Sequence, residues 1–255
     1  MYYKSEVFAA TAARYENENQ DNMIVDNILS GIARSSCFSM HTYFSNTETR
    51  VFAVCDGAGG EADGAKASHQ AVKALSAQLH LLKEADENLP DVLDECNRAV
   101  IDSYKYGPVG ATTVSGVLLK KNEITVFNLG DSHVWLYRDG KLTLLSQIQT
   151  QAEMENLQKS GNKSKDTENV ITGYLGDCEN AGSEQASITQ HPIFPGDMLL
   201  LCSDGVEKGL TEKEILKILK KKKIHYAEEL VEQAFRQATA RNFSDDTTAI
   251  VVRIL

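Results

Sequence analysis

The sequence predicts an α+β domain, and three observations carry that expectation. Segments rich in β-branched and aromatic residues come in runs, amphipathic helical patterns come in pairs, and the Asp139-Gly140 step inside one apolar run has the φ > 0 tolerance of a tight hairpin turn. Strands in runs with helices in pairs point away from an alternating βαβ order. In chain order, "SCFSMHTYF" and "VFAVC" read as strands. Ala71, Val72, Leu75, Leu79 and Leu82 then recur at helical spacing, and Val92, Leu93, Cys96, Val100 and Ile101 form a second helical set after Pro90. "ATTVSGVLL", "EITVFNL" and "HVWLYRDGKLTLL" bring further strands, the last folded at its Asp-Gly turn. Residues 146–169 are polar with one weakly amphipathic helical segment and read as a surface flap. "MLLLC" is a strand, Thr211 and Glu214 are spaced as a capping box opening a helix to Leu219, a second helix spans 227–238, and "TTAIVVRIL" is the last strand. No repeat or Pro-rich linker divides the chain, so residues 1–255 are expected to form a single domain.

With 26 basic and 36 acidic residues the formal charge is −10, which disfavours nucleic acid or an anionic membrane as partner, because phosphate binding is carried by clustered Lys and Arg. The one basic run, Lys220 to Lys223, follows the helix that Thr211 opens, where cations suit the C-terminal end of the dipole. Five cysteines, an odd number without any CxxC, include Cys55 and Cys202 inside apolar strands, which fits a reducing cytoplasm. The N-terminal residues lack the apolar core and cleavage site of a secretion signal.

The chemistry gathers at strand tips. "VFAVC" runs into Asp56, "VFNLG" into Asp131, "LLLCS" into Asp204, and the last strand begins just after Asp245 and Asp246; Asp21 precedes another apolar patch. Any one of these is also what a hydrogen-bonded turn requires. As a set they differ: in an antiparallel sheet strand starts lie beside strand ends, so these side chains can meet at one edge of the core. Converged carboxylates repel one another unless cations neutralise them. An all-oxygen set suits Mg²⁺ or Mn²⁺ rather than zinc, and none of the six histidines forms an HxH or HxxxH pair. Two such ions support in-line phosphoryl displacement, so the expected activity is phosphate-ester hydrolysis.

Seven segments in register resemble the metal-dependent protein phosphatases of type 2C, in their bacterial branch: "NQD" (19–21), "DGAGGEADGAKAS" (56–68), "GATT" (110–113), "NLGDSHVWLYRDGKL" (128–142), "NVITGYLG" (169–176), "PGDMLLLCSDGV" (195–206) and "SDDTTAIVV" (244–252). The resemblance implies a four-layer α-β-β-α sandwich of two antiparallel sheets flanked by helix pairs. It implies that Asp56 bridges two Mg²⁺ or Mn²⁺ ions, that the Gly57 carbonyl ligates one of them, that Asp204 and Asp245 complete the first ion and that Asp21 holds the second. Asp131 resembles the ligand of a third, weaker ion shared with Asp204. A hydroxide bridging the two ions would attack phosphorus directly, with no phosphoenzyme. Gly57, Gly59 and Gly60 would let backbone and phosphate approach the ions, while also turning the chain into a helix near Gly64.

The sequence departs from the family in several places. Arg14, the candidate phosphate clamp, stands seven residues before Asp21 where five is usual. Ala58 occupies the position of a leaving-group acid in eukaryotic members, so that proton is expected from water. His133 replaces an Arg and is expected to be solvent-facing and structural; Gly173 replaces another Arg, and Asp246 stands where many members have Asn.

"GAGGEA" also fits a loose dinucleotide-binding pattern, but Asp56 would set a negative charge beside a pyrophosphate and the βαβ context is missing; nor does the segment read as a Walker A loop. A catalytically silent phosphatase-like binding or regulatory module is the alternative, opposed by the presence of every main Asp. The expectation is therefore a cytoplasmic Mg²⁺/Mn²⁺-dependent phosphoserine/phosphothreonine protein phosphatase. Its partners would be phosphorylated proteins, such as a Ser/Thr kinase and its substrates or a sigma-factor regulator.

Overall fold

A strand that is apolar at every position has two buried faces, and "VFAVC" shows where they go. In the computed structural model, which describes residues 3–14, 18–29, 37–58, 63–157, 170–221, 225–241 and 245–255, Val51, Ala53 and Cys55 pack against helices while Phe52 and Val54 pack against a second sheet. One sheet orders β10 (Lys141–Leu144), β9 (His133–Arg138), β12 (Met198–Cys202), β13 (Thr247–Ile254), β1 (Lys4–Ala12) and β4 (Cys37–Ser45). The other orders β11 (Ser187–Pro192), β8 (Glu123–Leu129), β7 (Val114–Lys120), β5 (Arg50–Ala58), β2 (Asp21–Val25) and β3 (Ile28–Leu29), with β6 (Ala111–Thr112) beside the end of β5. The strand pairs of both sheets are antiparallel.

Between the sheets lies an apolar core that includes Val7, Met23, Phe52, Val117, Leu199 and Ile250. The outer face of the β5 sheet is covered by α1 (Gly64–Ala77), α2 (Leu79–Glu84) and α3 (Leu89–Ser103), through Val72, Leu75, Leu82 and Leu93. The outer face of the β13 sheet is covered by α6 (Asp204–Gly209), α7 (Glu212–Leu219) and α8 (Tyr226–Ala240), through Val206, Ile215, Leu230 and Ala234. The four layers and their helix groups are those the resemblance implies. Two short helices, α4 (Gln151–Leu157) and α5 (Gly182–Gln185), lie outside these groups. α4 is the helical segment expected within the flap, whose residues 158–169 fall outside the described ones, as do Gly59 and Gly60.

Local signals are realised where the chemistry is local. Asp139 and Gly140 adopt φ of 50° and 79° and join β9 to β10. Thr211 and Glu214 form the reciprocal capping box of α7, with the Thr211 N–H donating to Glu214 Oε2 at 2.9 Å. Four strands are not among the segments the sequence predicts: β1, β2, β3 and β11. β1 pairs with β13 on one side and β4 on the other, yet "EVFAATA" is rich in alanine and carries little strand preference. β11 is a half-exposed edge strand without an apolar run.

Gly57 has a reason beyond openness. A Cβ there would lie 2.2 Å from the Gly64 carbonyl oxygen and 2.8 Å from that of Gln20, so β5 closes directly on the backbone at the start of α1. Gly57→Ala is expected to lower stability by about 1–3 kcal/mol through overpacking. Thermal denaturation checks it, and an unchanged melting temperature would show that the β5–α1 junction relaxes freely.

Candidate metal centre

Strand parity decides which way each carboxylate faces. In β5, Phe52 and Val54 face the inter-sheet core, so Asp56, two residues on, continues that face at its rim. In β2, Met23 and Val25 face the same core and Asp21 shares their parity. The β2–β5 register sets Asp21 directly opposite Asp56. Like charges placed opposite each other across a strand pair are unfavourable unless a cation intervenes.

The other sheet supplies Asp204 and Asp245, and the connection from β8 to β9 supplies Asp131. β12 ends at Cys202, Ser203 follows, and Asp204 is the first residue of α6. The Ser203 hydroxyl donates to Asp21 Oδ2 at 2.7 Å and accepts from the Thr248 N–H at 3.0 Å, tying the two sheets together at the site. Asp131 follows Gly130, whose φ of 98° lets the chain leave β8. Asp56 is held by its backbone: its N–H donates to Thr113 Oγ1 at 3.0 Å, and its carbonyl accepts from the Thr113 N–H at 2.8 Å and Thr112 Oγ1 at 3.0 Å.

The charges of these carboxylates act on one another across the rim. Burial, then the charges of Asp21, Asp204, Asp245 and Asp131, hold the Asp56 carboxyl well above the ordinary carboxylate range. Burial first, then Asp246, pushes Asp21 up to about 8 against the lowering hydrogen bonds of Thr248 and Ser203. Burial also raises Asp204, to about 6, although Lys208 opposes the shift. Asp131 is raised by burial, with Lys208 and His133 pulling the other way. Asp21 Oδ1 and Asp204 Oδ1 are buried and accept no hydrogen bond. Buried carboxylate oxygens without donors fit a hard divalent cation. Among the described residues no three acidic, His or Cys side chains close around a common point at ligating distance. Lys208 draws Asp204 and Asp245 to itself instead, bonding Oδ2 of each, at 2.7 Å for Asp245.

Three participants were not foreseen as such. Ser203 was visible only as a letter of "CSDG", and Lys208 only as one of many lysines. Asp246 was noted as a departure, but its carboxylate accepts from the Arg14 N–H and, at 2.7 Å, from the Gln20 N–H, pinning the segments after β1 and before β2. Arg14 itself is exposed beside this staple; burial leaves the Asp246 pKa raised, against the backbone hydrogen bonds of Arg14 and Gln20 and the Arg14 charge. One expectation is corrected: His133 is buried, not solvent-facing, because Glu207 receives it through an ion pair at Nδ1. Burial pulls the His133 pKa down, but the Glu207 hydrogen bond and charge outweigh it and leave it raised. Glu207 also accepts the Trp135 indole N–H, so one carboxylate holds both rings.

A two-sheet sandwich with helices on both outer faces thus carries, at the rim of its inter-sheet core, carboxylates that reach it from both sheets. Residues 39–246 match the family model described as Protein phosphatase 2C, and the chain belongs to that family. It is 28% identical over 223 residues to Serine/threonine protein phosphatase PstP of Mycobacterium tuberculosis, covering 81% of this chain and 40% of that protein. The chain thus spans about two fifths of that relative's length. Serine/threonine phosphatase stp of Listeria monocytogenes is 25% identical over 226 residues, covering 82% of this chain and 86% of the relative. The fold matches the crystal structure of the PstP catalytic domain in complex with two manganese ions, with a TM-score of 0.73, 22% identity and 99% of each chain covered. It also matches the structure of the S. agalactiae serine/threonine phosphatase, with a TM-score of 0.74, 20% identity and coverage of 98% and 99%.

Proposed function

We propose that the chain is a single catalytic domain that hydrolyses phosphoserine and phosphothreonine in proteins and depends on two Mg²⁺ or Mn²⁺ ions. The observation that carries this is the convergence of Asp21, Asp56, Asp131, Asp204 and Asp245 on one rim, with two buried carboxylate oxygens left without donors. Family membership and the serine/threonine phosphatases among its relatives support the same reading.

Asp56 and Asp21 face each other from adjacent strands and would hold the ions from the β5 sheet; Asp204 and Asp245 would hold them from the β13 sheet. Bound divalent ions would lower the pKa of water and stabilise negative charge on a phosphoryl oxygen. Ser203 orients Asp21 through its 2.7 Å hydrogen bond, which fixes the carboxylate against rotation. Ser203 is thereby committed, and burial pushes the thiols of Cys55 and Cys202 well up and that of Cys96 to about 12, so these side chains are poor nucleophiles. Ala58, at the end of β5, has no proton to give, which leaves solvent as the source for the departing alkoxide. Arg14 would clamp the phosphate from the exposed side of the site. No helix among the described residues is long and apolar enough to cross a membrane. The proposed partners are phosphorylated proteins of the cytoplasm, such as a Ser/Thr kinase and its targets or a sigma-factor regulator; the acidic composition disfavours nucleic acid instead.

The deciding experiment is hydrolysis of a phosphothreonine peptide with Mn²⁺, against EDTA and Asp204→Asn controls. Tight peptide binding without turnover would support a silent binding module instead. Arg14→Ala is expected to raise KM about tenfold with a smaller loss in kcat, as removal of a charge-assisted phosphate contact does. Unchanged steady-state constants would reduce Arg14 to a surface residue whose backbone alone matters.

A further inference from the structure

We infer that Lys208 is a built-in cation of this centre, its ammonium taking a place that a divalent ion would otherwise need, so that the chain binds two divalent ions rather than three. This rests on the divalent-cation reading of the site above. Lys208 stands one turn after Asp204 on α6, the spacing at which helical side chains meet. Its Nζ bonds Oδ2 of Asp204 and, at 2.7 Å, Oδ2 of Asp245, and its side chain is only 24% exposed. A lysine brought this far out of water needs partners of opposite charge, and it has taken two from the set.

The arrangement does not exhaust Asp204, which keeps Oδ1, buried and accepting no hydrogen bond, whereas Asp245 has both oxygens engaged, Oδ2 by Lys208 and Oδ1 by the Asp246 N–H at 3.0 Å. One oxygen of Asp204 thus remains to ligate an ion while the other holds the ammonium. The charge of Lys208 also reaches Asp131, the carboxylate that would share a third ion with Asp204. An ion lodged between Asp131 and Asp204 would therefore sit against a fixed positive charge and be repelled. The charges balance without it: the five carboxylates, Asp21, Asp56, Asp131, Asp204 and Asp245, carry five negative charges when ionised, and two divalent ions with one ammonium carry five positive ones. Asp246 is occupied by two backbone N–H groups. Lys208 touches carboxylates and not the reacting phosphate, so it is a positioning residue.

The test counts ions and needs no turnover. Mn²⁺ bound per chain is measured by equilibrium dialysis with elemental analysis for the wild type, Lys208→Gln and Lys208→Arg. Two ions are expected in the wild type and in Lys208→Arg, and a third, submillimolar one in Lys208→Gln. The metal-free Lys208→Gln protein is also expected to melt lower and to gain more from Mn²⁺ than the wild type does. If circular dichroism shows Lys208→Gln unfolded, Lys208→Met, which keeps the apolar stem, takes its place. Two ions of unchanged affinity in the uncharged variant, or three in the wild type, would overturn the inference while leaving the cation centre intact. Failure of all variants to bind Mn²⁺ would instead bring down the cation centre and this inference with it.

Discussion

Asp56→Asn is expected to cut phosphopeptide turnover by about 10³-fold or more while raising the melting temperature of the metal-free protein. The loss follows from position: Asp56 lies opposite Asp21 in register and within reach of the charges of Asp131, Asp204 and Asp245, so it is the member through which ions held by either sheet would be linked. Losing such a bridging charge is worth roughly 4 kcal/mol of transition-state stabilisation, which is about 10³ in rate. The gain in stability follows from the same repulsion. Asn keeps the size of Asp, and the Asp56 backbone bonds to Thr112 and Thr113 are unaffected, but the charge that burial and four neighbours oppose is gone. Kinetics on a phosphothreonine peptide and calorimetry in EDTA check the two halves separately. A lower melting temperature for the metal-free variant would mean that Asp56 is held by attraction, against the electrostatics described here.

Divalent-ion affinity is expected to rise steeply between pH 6 and pH 8. Asp204 and Asp21 have pKa values of about 6 and about 8 in the folded chain, above the ordinary carboxylate value of about 4. For a carboxylate raised on folding, the stabilising contribution is complete below its unfolded pKa and is lost as pH rises through the folded one. The metal-free protein therefore loses stability from about pH 4 upward, through 6 for Asp204 and 8 for Asp21. Cations bind the ionised forms, so binding displaces protons, and affinity gains about tenfold per pH unit for each proton released. Titration calorimetry in buffers of different ionisation enthalpy measures that release directly. With Mn²⁺ at 100 times its Kd, the loaded protein gains about 2.7 kcal/mol, which EDTA removes. Affinity that is flat across this pH range would show that the carboxylates are already ionised in the metal-free fold.

Several features of the molecule were legible in its residues alone. Unbroken apolar runs such as "VFAVC" and "MLLLC" announce strands buried on both faces, and that is how β5 and β12 sit, between a sheet and a helix layer. The Asp139-Gly140 turn and the Thr211 capping box follow from chemistry within four residues, so the sequence contains every partner they need. The Asp at each strand tip was visible as well, and the sequence determined that the site, wherever it formed, would be rich in carboxylate oxygen and poor in histidine.

Pairing across the chain belonged to the tertiary structure. "EVFAATA" hides β1 because small alanines lack strand preference, and only its neighbours β4 and β13 make it a strand. Ser203 reaches Asp21 across 182 residues of sequence, Asp246 reaches Gln20 across 226, and Lys208 reaches Asp245 across 37. Glu207 buries His133, which reads as a surface residue by type. Residue types and their periodicity set which faces must be buried and which charges must be matched. Register and sheet stacking decide which oxygen faces which, and so it was the fold that placed Asp21 against Asp56 and set an ammonium among carboxylates that the sequence had left to cations alone.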